Sequence, residues 1–165
     1  MIRMKLYFVR HATPSETAAS DFAKTLTPLG EDEARIVGAA LLKFGVRPAH
    51  ILTSRLVRAR QTAEIIGRTL DCQSEIKPID ELKNGASTQA LLRVLDPYAE
   101  AAEIVLVGHM PSLAEHIGAM TGANSPKEFP LGKGSVVSVE MEKLAIGSGR
   151  LLSVLHQSDL IRLVA

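Results

Sequence analysis

Cysteine, aromatic residues and long apolar runs are all scarce in this chain of 165 residues. The single cysteine, Cys72, excludes an intramolecular disulfide and a cysteine-based metal site, and it is consistent with a reducing cytosol. Tryptophan is absent and aromatic residues make up 4% of the chain, which disfavours a nucleic-acid surface built on base stacking. No apolar run approaches the ~20 residues of a membrane span, and the first is too short for a signal-peptide core. We therefore expect a cytoplasmic protein without a membrane or nucleic-acid partner.

Net charge is also nearly absent. Nineteen basic and eighteen acidic side chains leave a formal net charge of +1, so any attraction to an anion must be local. With 46% hydrophobic residues, the chain is long enough for one well-buried core and too short for two comfortable domains. We expect a single domain over residues 1–165, and the oligomeric state is left open.

Strand-like and helix-like segments alternate along the chain. The expected strands cover residues 6–9, 50–54, 76–79, 104–107, 136–141 and 151–156, and the expected helices cover residues 28–44, 56–70, 88–95 and 111–120. This order predicts an α/β fold with three layers (α/β/α), a mostly parallel sheet with helices on both faces, and a C-terminal antiparallel hairpin. Residues 14–25 lack periodicity and are expected to form a loop at the mouth of the site.

Two of the apolar runs end on a histidine. The run at residues 6–9 is followed by Arg10 and His11, and the run at residues 104–107 by Gly108 and His109. Ligands bind beyond the carboxyl ends of parallel strands, so two imidazoles are expected side by side at this edge. An arginine fork that holds phosphate oxygens beside a neutral imidazole that attacks phosphorus suits phosphoryl transfer. The alternative is a solvated basic pair at a strand end.

A third basic segment follows the second expected strand. Arg55 and Arg58 lie three residues apart and are expected on one helical face, near backbone N–H groups that favour an anion. Arg60 is interpreted as a solvated or structural charge. Beside the two histidines this segment forms a candidate anion cage, although an arginine-rich helix start taken alone is more often plain surface.

Three motifs, in this order along the chain, resemble one known family. Arg10-His11-Ala12, Ser54-x-x-x-Arg58-Ala59-x-x-Thr62 and Gly108-His109 resemble the histidine phosphatase superfamily, the phosphoglycerate-mutase-like enzymes. The resemblance covers nearly the whole chain and implies the phosphoglycerate-mutase-like fold. The short length, the Leu26-Thr27-x-x-Gly30 run and His109-x-Pro111 look most similar to the small SixA-type phosphohistidine phosphatases. Ala12 departs from the glycine usual after the histidine, a change of one methyl that need not block phosphate.

The resemblance implies a role for each of four residues. His11 would be the nucleophile that forms a transient phosphohistidine, which water then hydrolyses. Arg10 and Arg58 would clamp the phosphate, and His109 would donate a further hydrogen bond to its oxygens. Four such groups stabilise a dianion in a loose transition state, so the resemblance implies neither a cofactor nor a metal site.

Three further residues carry open assignments. Glu81 is the nearest match to the glutamate that protonates the leaving oxygen in many members of the superfamily, but its context departs from theirs and a surface carboxylate is the alternative. A leaving imidazole would need such an acid less, because the P–N bond is already labile. Thr13 and Ser54 carry hydroxyls near the same edge, and each either contacts phosphate or serves as a turn or cap residue.

Two other groupings are given structural interpretations. Asp21 would complete a conceivable metal site with His11 and His109, but no ligand spacing supports one. His116, inside an expected helix, is interpreted as buried or solvated rather than catalytic.

The expected substrate follows from the resemblance and from loop length. The stretch at residues 71–87 is too short for the lid-like insertions of larger relatives, which predicts a shallow site suited to a phosphate displayed on a protein. A phosphohistidine-bearing protein is therefore the favoured substrate and partner. The alternatives are a small phosphate ester, cleaved by a phosphomonoesterase, and a phosphoprotein-binding module without turnover, against which the intact set of four residues argues.

Overall fold

A six-stranded sheet forms the centre of the computed structural model, which describes residues 3–123 and 129–165. The strands are β1 (Met4–Arg10), β2 (His50–Thr53), β3 (Lys77–Pro78), β4 (Glu103–Gly108), β5 (Val136–Met141) and β6 (Gly149–Leu155). They lie in the order β3-β2-β4-β1-β5-β6. The first four pair in parallel, whereas β5 pairs antiparallel with both β1 and β6. The antiparallel hairpin therefore lies at one end of an otherwise parallel sheet.

Five helices and two short 3-10 turns surround the sheet in the part of the chain that the structure describes. The helices are α1 (Pro28–Lys43), α2 (Val57–Thr69), α3 (Thr88–Leu95), α4 (Ser112–Thr121) and α5 (Gln157–Val164), and the turns are Asp80–Leu82 and Asp96–Tyr98. None of these helices has the length and apolar character needed to cross a membrane.

Side chains of β1 alternate between two hydrophobic cores, one on each face of the sheet. Leu6 and Phe8 pack into the core covered by α3 and α4. Tyr7 and Val9 pack into the core covered by α1, α2 and α5. This alternation follows from the period of two along a strand, and the buried rows on both faces are typical of parallel sheets. The predicted three-layer α/β/α fold is confirmed.

The start of α1 holds the chain just beyond the end of β1. Thr27 caps the helix, because its Oγ1 accepts a 3.0 Å hydrogen bond from the N–H of Gly30. Thr27 also donates from both its N–H and its hydroxyl to the carbonyl of Thr13. A Cβ built on Gly30 would lie 2.2 Å from that carbonyl oxygen, so only glycine permits this close approach. The segment after His11 is thereby fixed against the first turn of α1.

Three sequence-based expectations need correction. The sequence patterns predict no helix after residue 156, but the structure has α5 there. His156, at the end of a predicted strand, is the N-cap of this helix, with Asp159 in a capping box. The strand expected at residues 76–79 is reduced to the two residues of β3. Arg55 does not share a helical face with Arg58, because α2 begins only at Val57.

Candidate active site

The ends of β1 and β4 bring two histidines into contact. Arg10 is in register with Gly108, so the residues that follow, His11 and His109, lie on neighbouring strands at the same sheet edge. The main-chain N–H of His11 donates a 3.0 Å hydrogen bond to the carbonyl of Gly108, which extends the ladder past the strand. The two imidazole rings have centroids 4.9 Å apart, and both side chains are buried.

His11 has one ring nitrogen fixed and the other open. Nδ1 lies 2.7 Å from the carbonyl oxygen of Ala12, and since a carbonyl only accepts, Nδ1 carries the proton. Nε2 forms no hydrogen bond with the described residues and is not fully enclosed, although the residue is only 6% exposed. Burial lowers the pKa of His11 to about 3, and the nearby positive charges of Arg58 and Arg10 act in the same direction. The ring is therefore neutral at neutral pH, with the lone pair of Nε2 available.

His109 is held in the opposite way. Its Nε2 lies 2.8 Å from Oγ of Ser54, and its Nδ1 is the nitrogen that remains open. Burial lowers the pKa of His109 to about 4; the charge of Arg58 lowers it further, and that of Asp21 opposes the shift. His109 is therefore also neutral at neutral pH, and it can offer one N–H to a ligand.

Two arginines complete the cluster. Arg10, the last residue of β1, donates from Nη1 to the carbonyl of Leu131 over 2.8 Å, while its buried Nε has no partner among the described residues. Burial lowers the pKa of Arg10 from its ordinary value, yet the guanidinium remains charged. Arg58 is 11% exposed and donates to the main-chain oxygen of Asp21 at 2.8 Å and to its carboxylate at 3.3 Å. Two guanidinium groups with unused donors beside two neutral imidazoles form a site for an oxyanion.

Thr62 connects the two sides of this cluster. Its hydroxyl accepts a 3.1 Å hydrogen bond from the N–H of Ala12 and donates a 2.7 Å bond to the carbonyl of Arg58. Thr62 is fully buried within α2, so these bonds are shielded from water. The position of the turn after His11 and the start of α2 are therefore coupled by one hydroxyl group.

Thr13 and Glu81 follow β1 and β3, respectively, and their side chains have few contacts of their own. The N–H of Thr13 donates to Glu33 at 3.0 Å, but its side-chain hydroxyl forms no hydrogen bond with the described residues. Glu81 lies in the turn that precedes α3, half-buried, and its carboxylate forms neither a hydrogen bond nor an ion pair within the described ranges. Their roles toward phosphate remain predictions.

Arg55 and Asp21 are used differently from the sequence-based interpretation. Arg55 is half-exposed and donates a 2.8 Å hydrogen bond to the exposed carboxylate of Asp80, so it forms a surface ion pair. Asp21 pairs with Arg58 instead of joining the two histidines. Over residues 3–123 and 129–165, no group of His, Cys, Asp and Glu side chains has the arrangement of a metal site. His116 is buried in α4 and hydrogen-bonded to Thr88. Of the two structural interpretations, buried or solvated, the buried one is correct.

Sequence reasoning did not predict the partners of two residues in the cluster. Asp21 lies in the loop expected at the mouth of the site, but nothing in its neighbours indicates that it would meet Arg58. Thr62 was visible only as part of the motif with Arg58. Its spacing of four residues from Arg58 is the signal for a hydroxyl that bonds back to the preceding helical turn.

The fold and this cluster define an α/β protein with two histidines and two arginines gathered at the carboxyl edge of its parallel strands. A family model described as the histidine phosphatase superfamily (branch 1) matches residues 6–90, which are 85 of the 165 residues. An uncharacterized protein of Picosynechococcus sp. is 34% identical over 144 residues, 82% of this chain and 84% of the relative. The chain therefore belongs to the histidine phosphatase superfamily, and it is a phosphatase.

Two further similarities concern SixA proteins. Phosphohistidine phosphatase SixA of Escherichia coli K12 is 24% identical over 88% of this chain and 90% of its own. The solved structure of the protein histidine phosphatase SixA with tungstate superposes with a TM-score of 0.86 at 24% identity, covering 95% of this chain and 99% of that one. This chain has the same phosphoglycerate-mutase-like fold.

Proposed function

We propose that this phosphatase removes phosphate from a phosphohistidine-bearing protein without a metal, through a covalent intermediate on His11. The observation that carries the proposal is the state of the His11 ring. Its proton is held on Nδ1 by the Ala12 carbonyl, and its Nε2 lone pair is open beside Arg10 and Arg58. A neutral nitrogen nucleophile next to cationic donors is what attack on a phosphoryl group requires.

The proposed reaction has two displacements. In the first, Nε2 of His11 bonds to phosphorus as the P–N bond to the substrate imidazole breaks, and the leaving nitrogen takes a proton from water. In the second, water attacks the phosphorylated His11, and inorganic phosphate leaves with regeneration of the neutral ring. Arg10, Arg58 and the open N–H of His109 stabilise the equatorial oxygens in both steps.

A protein substrate is supported by the similarity to SixA and by the surroundings of the cluster. Between β2 and α3 the chain contributes only α2, the two-residue β3 and a short turn, with no inserted cover over the histidines. Phe22, in the loop beside Arg58, is 51% exposed and is available to a partner surface. A cytoplasmic phosphohistidine protein is the substrate class that these features favour.

Glu81 is proposed as an acid that matters only for poor leaving groups. Its carboxylate has no partner in the described part of the chain, and it lies between Asp80 and Leu82 in the turn that contacts β4. An imidazole leaves a phosphorus atom readily, whereas an alkoxide needs a proton in the transition state. Glu81→Gln should therefore leave the release of phosphate from phosphohistidine nearly unchanged and slow the release from an alkyl phosphate.

The decisive experiment measures phosphate release in the presence of EDTA from a phosphohistidine protein and from an aryl phosphate. Wild-type chain is compared with His11→Ala, and with His50→Gln at the opposite end of β2 as a matched control. We expect release by wild type and control, and a loss on the order of 10³-fold or more in His11→Ala. Wild type quenched and digested under alkaline conditions, in which the P–N bond survives, should carry phosphate on His11 by peptide mass analysis.

Each other result counts against a stated part of the proposal. If neither substrate released phosphate, the alternative of a phosphoprotein-binding module without turnover would be favoured. Release that survives His11→Ala would place the chemistry elsewhere, and release abolished by EDTA would contradict metal independence. A clear preference for the aryl phosphate would support a small-molecule phosphomonoesterase instead.

A further inference from the structure

The chemical role of His109 depends on which of its two ring nitrogens carries the proton. A neutral imidazole carries one proton, on either Nδ1 or Nε2. The open nitrogen of His109 is Nδ1. With the proton on Nδ1, the ring donates to a phosphate oxygen; with the proton on Nε2, it presents a lone pair to an anion and repels it.

Ser54 is the residue that decides between these two states. It follows β2, is fully buried, and has its N–H bonded at 3.0 Å to the carbonyl of Val107. Its Oγ accepts a 3.2 Å hydrogen bond from the N–H of Leu56 and lies 2.8 Å from Nε2 of His109. Among the described residues, Nε2 of His109 is the one acceptor within reach of the Ser54 hydroxyl proton.

The alternative arrangement is unfavourable on two counts. If Nε2–H of His109 donated to Ser54, the oxygen would accept two hydrogen bonds and its own O–H would be buried without an acceptor. The lone pair of Nδ1 would then be presented to an anion held by Arg10 and Arg58, whose charges both act on the His109 ring. When the Ser54 hydroxyl instead donates to Nε2 of His109, no buried donor is left unpaired and no lone pair repels the ligand.

We infer that Ser54 is a positioning residue whose hydroxyl donates to Nε2 of His109 and thereby keeps the ring proton on Nδ1, directed at the phosphate. The consequence for turnover rests on the proposed function, whereas the tautomer itself does not. Ser54 thus acts through His109 rather than by contact with phosphate, which replaces the role considered for it from the sequence.

The two rings then carry their protons on the same atom for opposite purposes. At His11 an acceptor, the Ala12 carbonyl, holds the proton on Nδ1 and leaves a nucleophilic lone pair on the open Nε2. At His109 a donor, the Ser54 hydroxyl, occupies the lone pair of Nε2 and leaves an N–H on the open Nδ1. A hydrogen-bond chain runs from the Leu56 N–H through Ser54 and His109 to the ligand, with every donor oriented in one direction.

The first test reads the tautomer directly in the ligand-free protein. Two-bond ¹H–¹⁵N correlations of the imidazoles at neutral pH, assigned with His109→Gln, should show a protonated Nδ1 and an unprotonated Nε2 for His109. Ser54→Ala should populate the Nε2–H form, and Ser54→Thr, which keeps the hydroxyl, should restore the wild-type pattern. An Nε2–H ring in the wild type, or a tautomer unchanged in Ser54→Ala, overturns the inference.

The second test measures tungstate binding by calorimetry. Ser54→Ala should weaken the affinity by about tenfold, the size of one lost hydrogen bond to an anion, and Ser54→Thr should not. In a His109→Ala background the same Ser54→Ala change should have no further effect. An equal loss in both backgrounds would mean that Ser54 acts without His109, which contradicts the proposal. Failure of the wild type to bind tungstate would count against the proposed function instead, while the tautomer measurement would still decide the role of Ser54.

Discussion

A single hydroxyl group, that of Thr62, couples the turn after His11, the proposed nucleophile, to the first turn of the helix that carries Arg58. It pairs with the N–H of Ala12 and the carbonyl of Arg58, both out of reach of water. Thr62→Val keeps the shape and removes both bonds, which leaves a buried N–H unpaired. We expect a loss of about 1–3 kcal/mol in the free energy of unfolding, together with a lower kcat. Thr62→Ser keeps the hydroxyl and should retain most of the free energy of unfolding and most of kcat. Urea unfolding and phosphate release assays measure the two quantities.

Asp21 competes with the ligand for the charge of Arg58. The guanidinium lowers the pKa of the Asp21 carboxyl, which is therefore ionised at neutral pH and faces the site as a second anion. Asp21→Asn keeps the main-chain bond to Arg58 and removes the negative charge. We expect tungstate to bind roughly two- to fivefold more tightly, with the gain shrinking as salt is added.

The matched control for this prediction is Asp32→Asn, another exposed carboxylate paired with an arginine, on α1. It should leave the affinity for tungstate unchanged. Weaker binding by Asp21→Asn would mean that orientation of Arg58 by the carboxylate outweighs their competition.

At this scale the sequence predicts which residues lie together better than how they are bonded. The expectation that His11 and His109 lie side by side rests on two apolar runs that each end on a histidine, and the structure places them in contact. The partners that fix their protons are different in kind. The carbonyl of Ala12 belongs to the local turn, but the hydroxyl of Ser54 comes from the residue that follows β2, and no local pattern encodes its distance from His109.

Helix α1 sets the position of the turn after His11 through the contact between Gly30 and Thr13. Helix propensity alone favours Gly30→Ala by up to about 1 kcal/mol. The added Cβ would however lie 2.2 Å from a backbone oxygen, which cannot be relieved by a side-chain rotation. We therefore expect a net destabilisation of about 1–3 kcal/mol and a fall in kcat/KM, because Thr13 lies two residues from His11, the proposed nucleophile.

Urea unfolding and phosphate release of Gly30→Ala would check both effects. The neighbouring Leu29→Ala, at a side chain that is 62% exposed, is the control and should change neither quantity appreciably. A Gly30→Ala protein more stable than the wild type would show that propensity dominates and that the turn adapts without cost.

The features that sequence reasoning misplaced have no strong local pattern in the sequence. Helix α5 has only one buried apolar residue, Leu160, and is capped by His156, which is not among the usual N-cap residues. Its capping box, formed by His156 and Asp159, departs from the Ser/Thr-x-x-Glu/Gln pattern by which such a box is recognised in a sequence. Arg55 was assigned to a helix that begins two residues later, and its pairing with Asp80 depends on a turn distant in sequence. Elements with strong periodicity were predicted closely, and α3 matched its expected bounds.

Across the whole molecule, the sheet separates two hydrophobic cores, and the two histidines of the site are buried at its edge. The alternation of apolar segments in the sequence was enough to predict this architecture, because each strand must be covered on both faces. The same burial has a thermodynamic consequence that composition does not reveal. Three histidines, His11, His109 and His116, are enclosed as neutral rings, and desolvation is the main cause of the lowered pKa in each.

This burial predicts that the protein loses stability as the pH falls below about 6.5. In the folded state the pKa of His11 is about 3 and those of His109 and His116 are about 4. In the unfolded chain each has its ordinary value of about 6.5, so between these limits the unfolded state binds more protons. The free energy of unfolding therefore falls with decreasing pH, by up to about 1.4 kcal/mol per pH unit for each ring, and levels off below the folded values.

His116 allows this prediction to be tested away from the site. Its Nε2 is buried without a partner among the described residues, and its Nδ1 bonds to Thr88 at 2.8 Å, so no acid nearby assists its protonation. His116→Gln should flatten the slope of the unfolding free energy against pH by about one proton between pH values of roughly 6 and 4.5. Thr88→Val removes the hydrogen bond but keeps the ring, and should lower stability at neutral pH while leaving a steep slope. Urea unfolding over this range distinguishes the two, and an undiminished slope in His116→Gln would mean that this histidine does not contribute to acid unfolding.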